Sequence, residues 1–477
     1  MLTRFLLAYR RYSLMFFLFL LASSLFLCSG PGWALAAEET GHVFTLKESV
    51  AIVLERSLKL LSASQSVEGA KWKKDEASTR FLPKFNATYT YTLLDETPTT
   101  SSLSFEDVIL FPGTPYSTTL TLPTGMSTRQ VGSRDNWQLK LTLTQPIFTG
   151  FALTTAYELS KLGVNIAEIS LAQTRLDIIL QVKQAYFNIL QAQKVAKVAI
   201  QAVKQREAHL NVARNYYEVG MIAKNQVLQA EVLVAEAVQS RIKAENAILL
   251  AKASFNTLLR RPLEAPLEVE DILTYKPFPH DLKYCFERAI DRRPEIEAVQ
   301  ESIKINEQNV RLSKAGHYPT VTVLANHYWK GDTWKVQGSP YMDDYTSWDV
   351  TAVLSWNFWT WGQVSDQVKY KRTELTKAHN TLIQVKDGIA LEVKSSFLSL
   401  KEAEKNIAVA RKAIEQAEEN YRMSQERYRE QVATSAEVTD AETLLTAARR
   451  NYYSALYDYN FAWAKLERAM GLGRDKI

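Results

Sequence analysis

Trp137-Gln-Leu-Lys-Leu-Thr-Leu-Thr-Gln-Pro-Ile-Phe148 is a tract whose first half changes character at every step: Trp137, Leu139, Leu141 and Leu143 alternate with Gln138, Lys140, Thr142 and Thr144. A period of two places the apolar set on one side of a β-strand and the polar set on the other. At an offset of 211 residues stands a second such tract, Trp348-Asp-Val-Thr-Ala-Val-Leu-Ser-Trp-Asn-Phe-Trp359. Here Trp348, Val350, Ala352, Leu354, Trp356 and Phe358 face away from Asp349, Thr351, Ser355 and Asn357. Two more tracts alternate in the same way. Phe85, Ala87, Tyr89, Tyr91 and Leu93 oppose Asn86, Thr88, Thr90 and Thr92, while Val321, Val323 and Ala325 do so less cleanly. Strands of about ten residues with one apolar face and aromatics near their ends have the pattern of tilted transmembrane barrel strands. Half-buried strands of a soluble sheet share the alternation.

The offset persists along the chain. Val182-x-x-Ala185-Tyr186-Phe187 aligns with Val393-x-x-Ser396-Phe397-Leu398, Tyr217-Glu-Val-Gly220 with Tyr428-Arg-Glu-Gln431, and Val227-x-x-Ala230-Glu231 with Val438-x-x-Ala441-Glu442. Upstream, Leu82-Pro83 matches Tyr318-Pro319 at a larger offset, so the first copy holds about 25 extra residues, expected as one Thr/Ser/Pro/Gly-rich loop between Leu94 and Asp135. The chain therefore divides into residues 1–36, a first repeat 37–261, a Pro-rich linker 262–282, a second repeat 283–471 and a short tail 472–477.

All 14 prolines lie outside 147–261 and 341–477, leaving two long segments free of the strongest helix breaker. Helices are expected over 45–81, 151–219, 223–261, 283–316, 363–430 and 434–470. The longest would run about 100 Å at 1.5 Å per residue, and Ile179, Val182, Tyr186 and Ile189 step along it as a coiled-coil seam. In each copy the two shorter helices together match the long one in length, so they can stack end to end beside it. The fold class expected is α+β, with four transmembrane β-strands and long coiled-coil α-helices per chain.

Over 477 residues, 46% hydrophobic and 23% charged exclude both wholesale disorder and a polytopic helical membrane protein. Residues 1–36 read as a secretory signal peptide: Arg4, Arg10 and Arg11, an apolar run from Leu14 to Leu27, then Ala34-Leu35-Ala36. Their removal lowers the net charge from +5 to +2, which gives nucleic-acid binding no support. The bulk of Leu27 before Cys28 argues against lipidation, and Cys285 is then the one cysteine left, without a disulfide partner. The six histidines form no short-spaced pairs, and no phosphate-binding loop, nucleophile elbow or dinucleotide fingerprint is present. No metal, cofactor or enzymatic chemistry is expected.

Four strands cannot close a barrel, and an open edge in lipid leaves backbone groups unpaired, so the chain is expected to oligomerise. A trimer would supply twelve strands and a dimer eight. The ordered motifs resemble those of the TolC-type outer-membrane efflux family. An opening helix ends in Ala289-Ile-Asp-Arg-Arg293-Pro294-Glu295; a "Pro-Ile-Phe-x-Gly-Gly" strand end stands as Pro146-Ile147-Phe148-Thr149-Gly150 and, degraded, as Asn357 to Gly362; and a tip motif runs from Tyr217 to Ala230 and from Tyr428 to Ala441. The resemblance covers nearly all of 41–471. It implies a homotrimer with a 12-strand barrel in outer-membrane lipid, continued by a 12-helix tunnel in the periplasm. It implies export with a periplasmic adaptor and an inner-membrane pump as partners. The alternative is a periplasmic or surface coiled-coil oligomer that conducts nothing.

Two groups of residues follow from the resemblance and a third from the aromatics near the strand ends. Glu437 and Asp440 match the family's carboxylates at the periplasmic constriction, and at i, i+3 they share a helix face; Thr434-x-x-Glu437 also reads as a capping box. Val219, Gly220, Met221 and Ile222 form a turn of the kind that meets the adaptor. Trp137, Trp348, Trp356, Phe358 and Trp359 are candidates for a membrane-interface girdle. Gln431 stands where the family has the tip glycine, so an altered second turn is expected.

Overall fold

The computed structural model describes residues 42–341 and 345–473; the expected signal segment, Cys28 and the end of the tail lie outside them. The four alternating tracts become β2 (Lys84–Leu93), β5 (Asp135–Phe148), β7 (Thr320–Gly331) and β8 (Thr346–Ser355), one antiparallel sheet in the order β2-β5-β7-β8. Register carries the alternation across the sheet. One row runs Ala87, Leu141, His327, Trp348, and the next runs Asn86, Thr142, Asn326, Asp349. Three residues of the second row are linked by side-chain hydrogen bonds: Thr142 donates to Asn326 at 3.0 Å, and Asn326 donates to Asp349 at 2.8 Å. One face is thus mainly apolar and the other mainly polar, and among the described residues the outer edges of β2 and β8 have no partner.

Each pair of strands is flanked by helices in the same order. The first copy has α1 (Leu46–Arg56), α2 (Leu58–Thr79), α3 (Ala152–Glu218) and α4 (Lys224–Leu259), and the second has α5 (Leu282–Arg292), α6 (Pro294–Lys314), α7 (Gln363–Arg429) and α8 (Ser435–Ala469). The 67-residue helices α3 and α7 each extend about 100 Å. Helices α2 and α4 both pack along α3, α6 and α8 both pack along α7, and α3 also touches α6 and α8. Among the described residues no helix is long and apolar enough to cross a membrane.

The expected single helices 45–81 and 283–316 are each broken in two. Ser57 and Arg293 take extended conformations (ψ 119° and 118°) between helical neighbours. Arg293 precedes Pro294, whose ring disfavours the helical region for the residue before it. Ser57 accepts the Leu60 N–H at 3.4 Å and so restarts the helix as an N-cap.

The segment expected as a loop is a two-stranded arm. Strands β3 (Thr99–Leu110) and β4 (Thr118–Gln130) pair antiparallel with an irregularity at Ser104/Phe105. Threonine and β-branched residues favour extended backbone, and the turn from Phe111 to Ser117 holds Pro112, Gly113 and Pro115. The arm continues outward from the β2–β5 ladder at its end remote from the helices.

The main core lies at mid-length of the helices. Val182, Tyr186 and Ile189 of the expected seam are fully buried there. The Tyr186 hydroxyl bonds to the carbonyls of Phe44 and Glu270, each at 2.9 Å, joining α3 to the small parallel pair β1 (Val43–Phe44) and β6 (Glu268–Val269). Smaller clusters fill the helical tips.

Candidate gate and barrel wall

At the end remote from the sheet, α3 and α7 stop in the same way. Gly220 (φ +77°) donates to the Tyr217 carbonyl at 2.9 Å and Met221 to that of Tyr216 at 2.8 Å. Gln431 (φ +64°) donates to the Tyr428 carbonyl at 3.0 Å and Val432 to that of Arg427 at 2.8 Å. Both are the left-handed helix termination that glycine favours. The second turn is therefore not altered: glutamine is held in the glycine conformation. Gln431 Nε2 lies 3.6 Å from Met221 Sδ, and the Tyr216 hydroxyl donates to the Arg429 carbonyl at 3.2 Å, so the two tips sit side by side. Val219 and Met221 are 69% and 51% exposed, whereas Ile222 turns inward against Leu210, Val227 and Ala230.

Glu437 forms the capping box. Its N–H donates to Thr434 Oγ1 at 3.3 Å, and its Oε1 accepts the Thr434 N–H at 3.2 Å. Those bonds, with Arg427 at 3.6 Å, hold its carboxyl below the usual carboxylate range. Asp440, one turn on, is exposed. The two acids stand one turn apart on exposed surface at the start of α8, Glu437 engaged with Thr434 and Arg427.

A second group at the tip is buried. Glu442 is 2% exposed and accepts from Arg206 Nε at 3.3 Å. Arg206 also donates to the Leu233 carbonyl at 2.8 Å, so one guanidinium ties α3, α4 and α8 together. Burial pushes the Glu442 carboxyl up to about 7 although Arg206 opposes the shift. Next to it His209, held below its ordinary value by burial, shares a 2.8 Å hydrogen bond with Ser435 and lies 5.1 Å from the Tyr428 ring. Sequence reasoning misses this group because Arg206 and Glu442 are 236 residues apart.

The aromatics divide between the two ends of the sheet. Trp137, half-buried, lies 4.4 Å from Tyr91 at the end carrying the arm, and Trp348, 74% exposed, is on the same apolar face. Trp356, Phe358 and Trp359 follow β8 at the helical end, all exposed. Eight residues separate Trp348 from Trp356, about 26 Å along the strand and about 20 Å of height at the tilt of barrel strands, a little less than the apolar band of a barrel wall, about 25 Å. The strand-to-helix turns beside them each hold two consecutive left-handed residues, Gly150-Phe151 and Trp361-Gly362. A side chain on Gly150 would meet the Ala315 carbonyl at 2.7 Å.

Known proteins share this architecture. The family described as "Outer membrane efflux protein" matches residues 50–259 and 286–472. The chain is 23% identical to outer membrane protein TolC of Escherichia coli over 342 residues, which cover 69% of this chain and 68% of that protein. It is 22% identical to the probable efflux pump outer membrane protein TtgC of Pseudomonas putida over 63% of this chain, and spans 61% of that protein's length. The crystal structure of the outer membrane protein VceC of Vibrio cholerae shares the fold with a TM-score of 0.70 at 17% identity, covering 90% of this chain and 97% of that one.

Proposed function

The chain belongs to the outer membrane efflux protein family, and from that premise we propose that it is the exit duct of a tripartite export machine, gated at its helical tip. It resides in the outer membrane and serves transport. The observation that carries the reading is the sheet: one face is mainly apolar across four strands in register, with His327 and the terminal Asp135 among its exceptions, the other is largely polar, and both edges are open among the described residues. Such a sheet is stable in lipid only when its edges are closed by further copies. Three copies would close a twelve-strand barrel with the polar face inward, and their helices would continue the bore through the periplasm. The alternative coiled-coil platform has no use for an apolar face turned outward over so large an area.

Under this reading the duct performs no covalent step. A periplasmic adaptor docks on the turn Val219–Ile222, where Val219 and Met221 present apolar surface, and an inner-membrane pump supplies the cargo. Three-fold symmetry gathers Glu437 and Asp440 into a ring of six carboxylates that restrains the closed tip and admits cations. Trp137 and Trp348 mark one membrane interface, Trp356, Phe358 and Trp359 the other.

Single-channel recording in a planar bilayer tests this, with Glu437→Ala/Asp440→Ala beside the wild type. The expected result is steady conductance steps that enlarge or lose cation preference in the double variant. Steps unchanged by the substitutions would return the acids to capping alone, and failure of a folded trimer to conduct would overturn the duct.

A further inference from the structure

We propose that the bore of the barrel is a basic field that favours anionic solutes, with Lys140 and Lys330 as its specificity-determining residues; this rests on the exit-duct reading and adds a substrate class to it. Along the four paired strands the polar face carries Lys84, Lys140 and Lys330 against one acid, Asp349. The apolar face carries no lysine or arginine, so the excess of positive charge belongs to the bore alone.

The geometry keeps this charge available. Lys140 is the cross-strand partner of Tyr328, and its ammonium lies 5.3 Å from the centre of that ring. Lys330, two residues along the same strand face, lies 5.6 Å from the same ring. The tyrosine thus collects two ammonium groups near the mouth without neutralising either, since a cation–π contact leaves the charge in place. Asp349 sits one pair deeper, where its carboxylate accepts hydrogen bonds from Asn326 at 2.8 Å and Thr351 at 3.2 Å and also faces Tyr328 and Lys140; one acid offsets part of the Lys140 charge and leaves three lysines against it on this face. Three-fold symmetry makes this a ring of six lysines.

Scale decides whether such a ring acts on cargo. Twelve tilted strands enclose a backbone radius of about 12 Å, and inward side chains narrow it further. The screening length is about 10 Å at 0.1 M salt, so the potential of the wall reaches the axis and is focused by the low-dielectric lipid outside. The acidic ring at the tip moves aside when the gate opens. The barrel wall stays in place, and every solute that leaves must cross its field.

The test uses the full-length trimer in a planar bilayer, with inorganic tripolyphosphate added on the barrel side at low salt, and compares wild type with Lys140→Gln/Lys330→Gln and with Lys140→Gln alone. Heat-resistant trimer bands establish that each variant assembles. The expected result is block of the wild type at concentrations about tenfold lower than the double variant requires, the single variant falling between. A tenfold KCl gradient should also give a reversal potential shifted toward cation preference in the double variant. Channels that form but respond alike to tripolyphosphate overturn the basic bore and leave the duct standing. Assembled trimers that never conduct overturn the duct reading and this one with it.

Discussion

Gln431 holds a left-handed backbone at φ +64° where its counterpart Gly220 has +77°. A side chain makes that conformation costlier than it is for glycine by about 1 kcal/mol. The two Schellman bonds and the contact of the Gln431 amide with Met221 hold it there. Gln431→Gly is expected to stabilise the tip by about 1 kcal/mol, read as slower hydrogen exchange over 425–435. Faster exchange in that variant would mean that the amide contact outweighs the backbone cost. Glu442 is the residue for a pH experiment. Its carboxyl titrates near 7 in the fold and near 4.5 when exposed, so the folded state binds the extra proton, and its contribution is fully present below 4.5 and lost as pH rises through 7. His209 acts in the opposite sense: burial lowers its pKa, so its contribution is present above 6.5 and lost as pH falls. The groups facing them are Arg206, Glu236, Tyr421 and Tyr428, of which Tyr421 is pushed up to about 12 by burial and by the Glu442 charge. With Glu442→Gln, tip stability should fall monotonically from pH 7 to pH 5, because the offsetting acid is gone. Thermal melts at the two pH values check this, and a variant that becomes more stable toward pH 5 would contradict it.

At the scale of elements, the strands and long helices are legible in the sequence because periodicity reports burial on one side. Val182, Tyr186 and Ile189 are as buried as their spacing implies. The arm is not legible by that rule. Its alternation is short and interrupted: Leu120 and Leu122 alternate with Thr119 and Thr121, but Pro123 and the irregularity at Ser104/Phe105 break the period. Its Ser/Thr content imitates a loop. The breaks at Ser57 and Arg293 are punctuation that a period-based reading passes over, although Pro294 marks one of them. At the candidate site the capping box is written locally in Thr434-x-x-Glu437, while the Arg206–Glu442 pair needs the tertiary fold to bring it together. The arm also yields a prediction. The β2–β5 ladder is complete from Lys84↔Thr144 to Leu93↔Asp135 without it. Replacing residues 96–132 by a short glycine-containing turn should leave trimer yield and melting temperature within a few degrees of the wild type. Loss of assembly in that variant would assign the arm a structural part.

At the scale of the whole molecule, three zones differ in what holds them. In the proposed duct the sheet relies on lipid and on neighbouring copies, the mid-length core on fully buried side chains such as Tyr186 and Tyr459, and the tip on small apolar clusters with ion pairs and turns that titrate or strain. Under the proposed gating at the tip, stability is expected to fall along the rod toward that end, the arrangement of a molecule whose low-stability part moves. The two bare strand edges have a consequence in time. In the proposed ring, an interface that joins β8 of one chain to β2 of the next is head-to-tail, and it ends only when the ring shuts. Until then every intermediate still offers an adhesive border to whatever strand it meets. The hazard is set by how long a chain waits for its siblings, so local abundance during biogenesis, more than the stability of the finished ring, governs how much of this protein reaches its membrane.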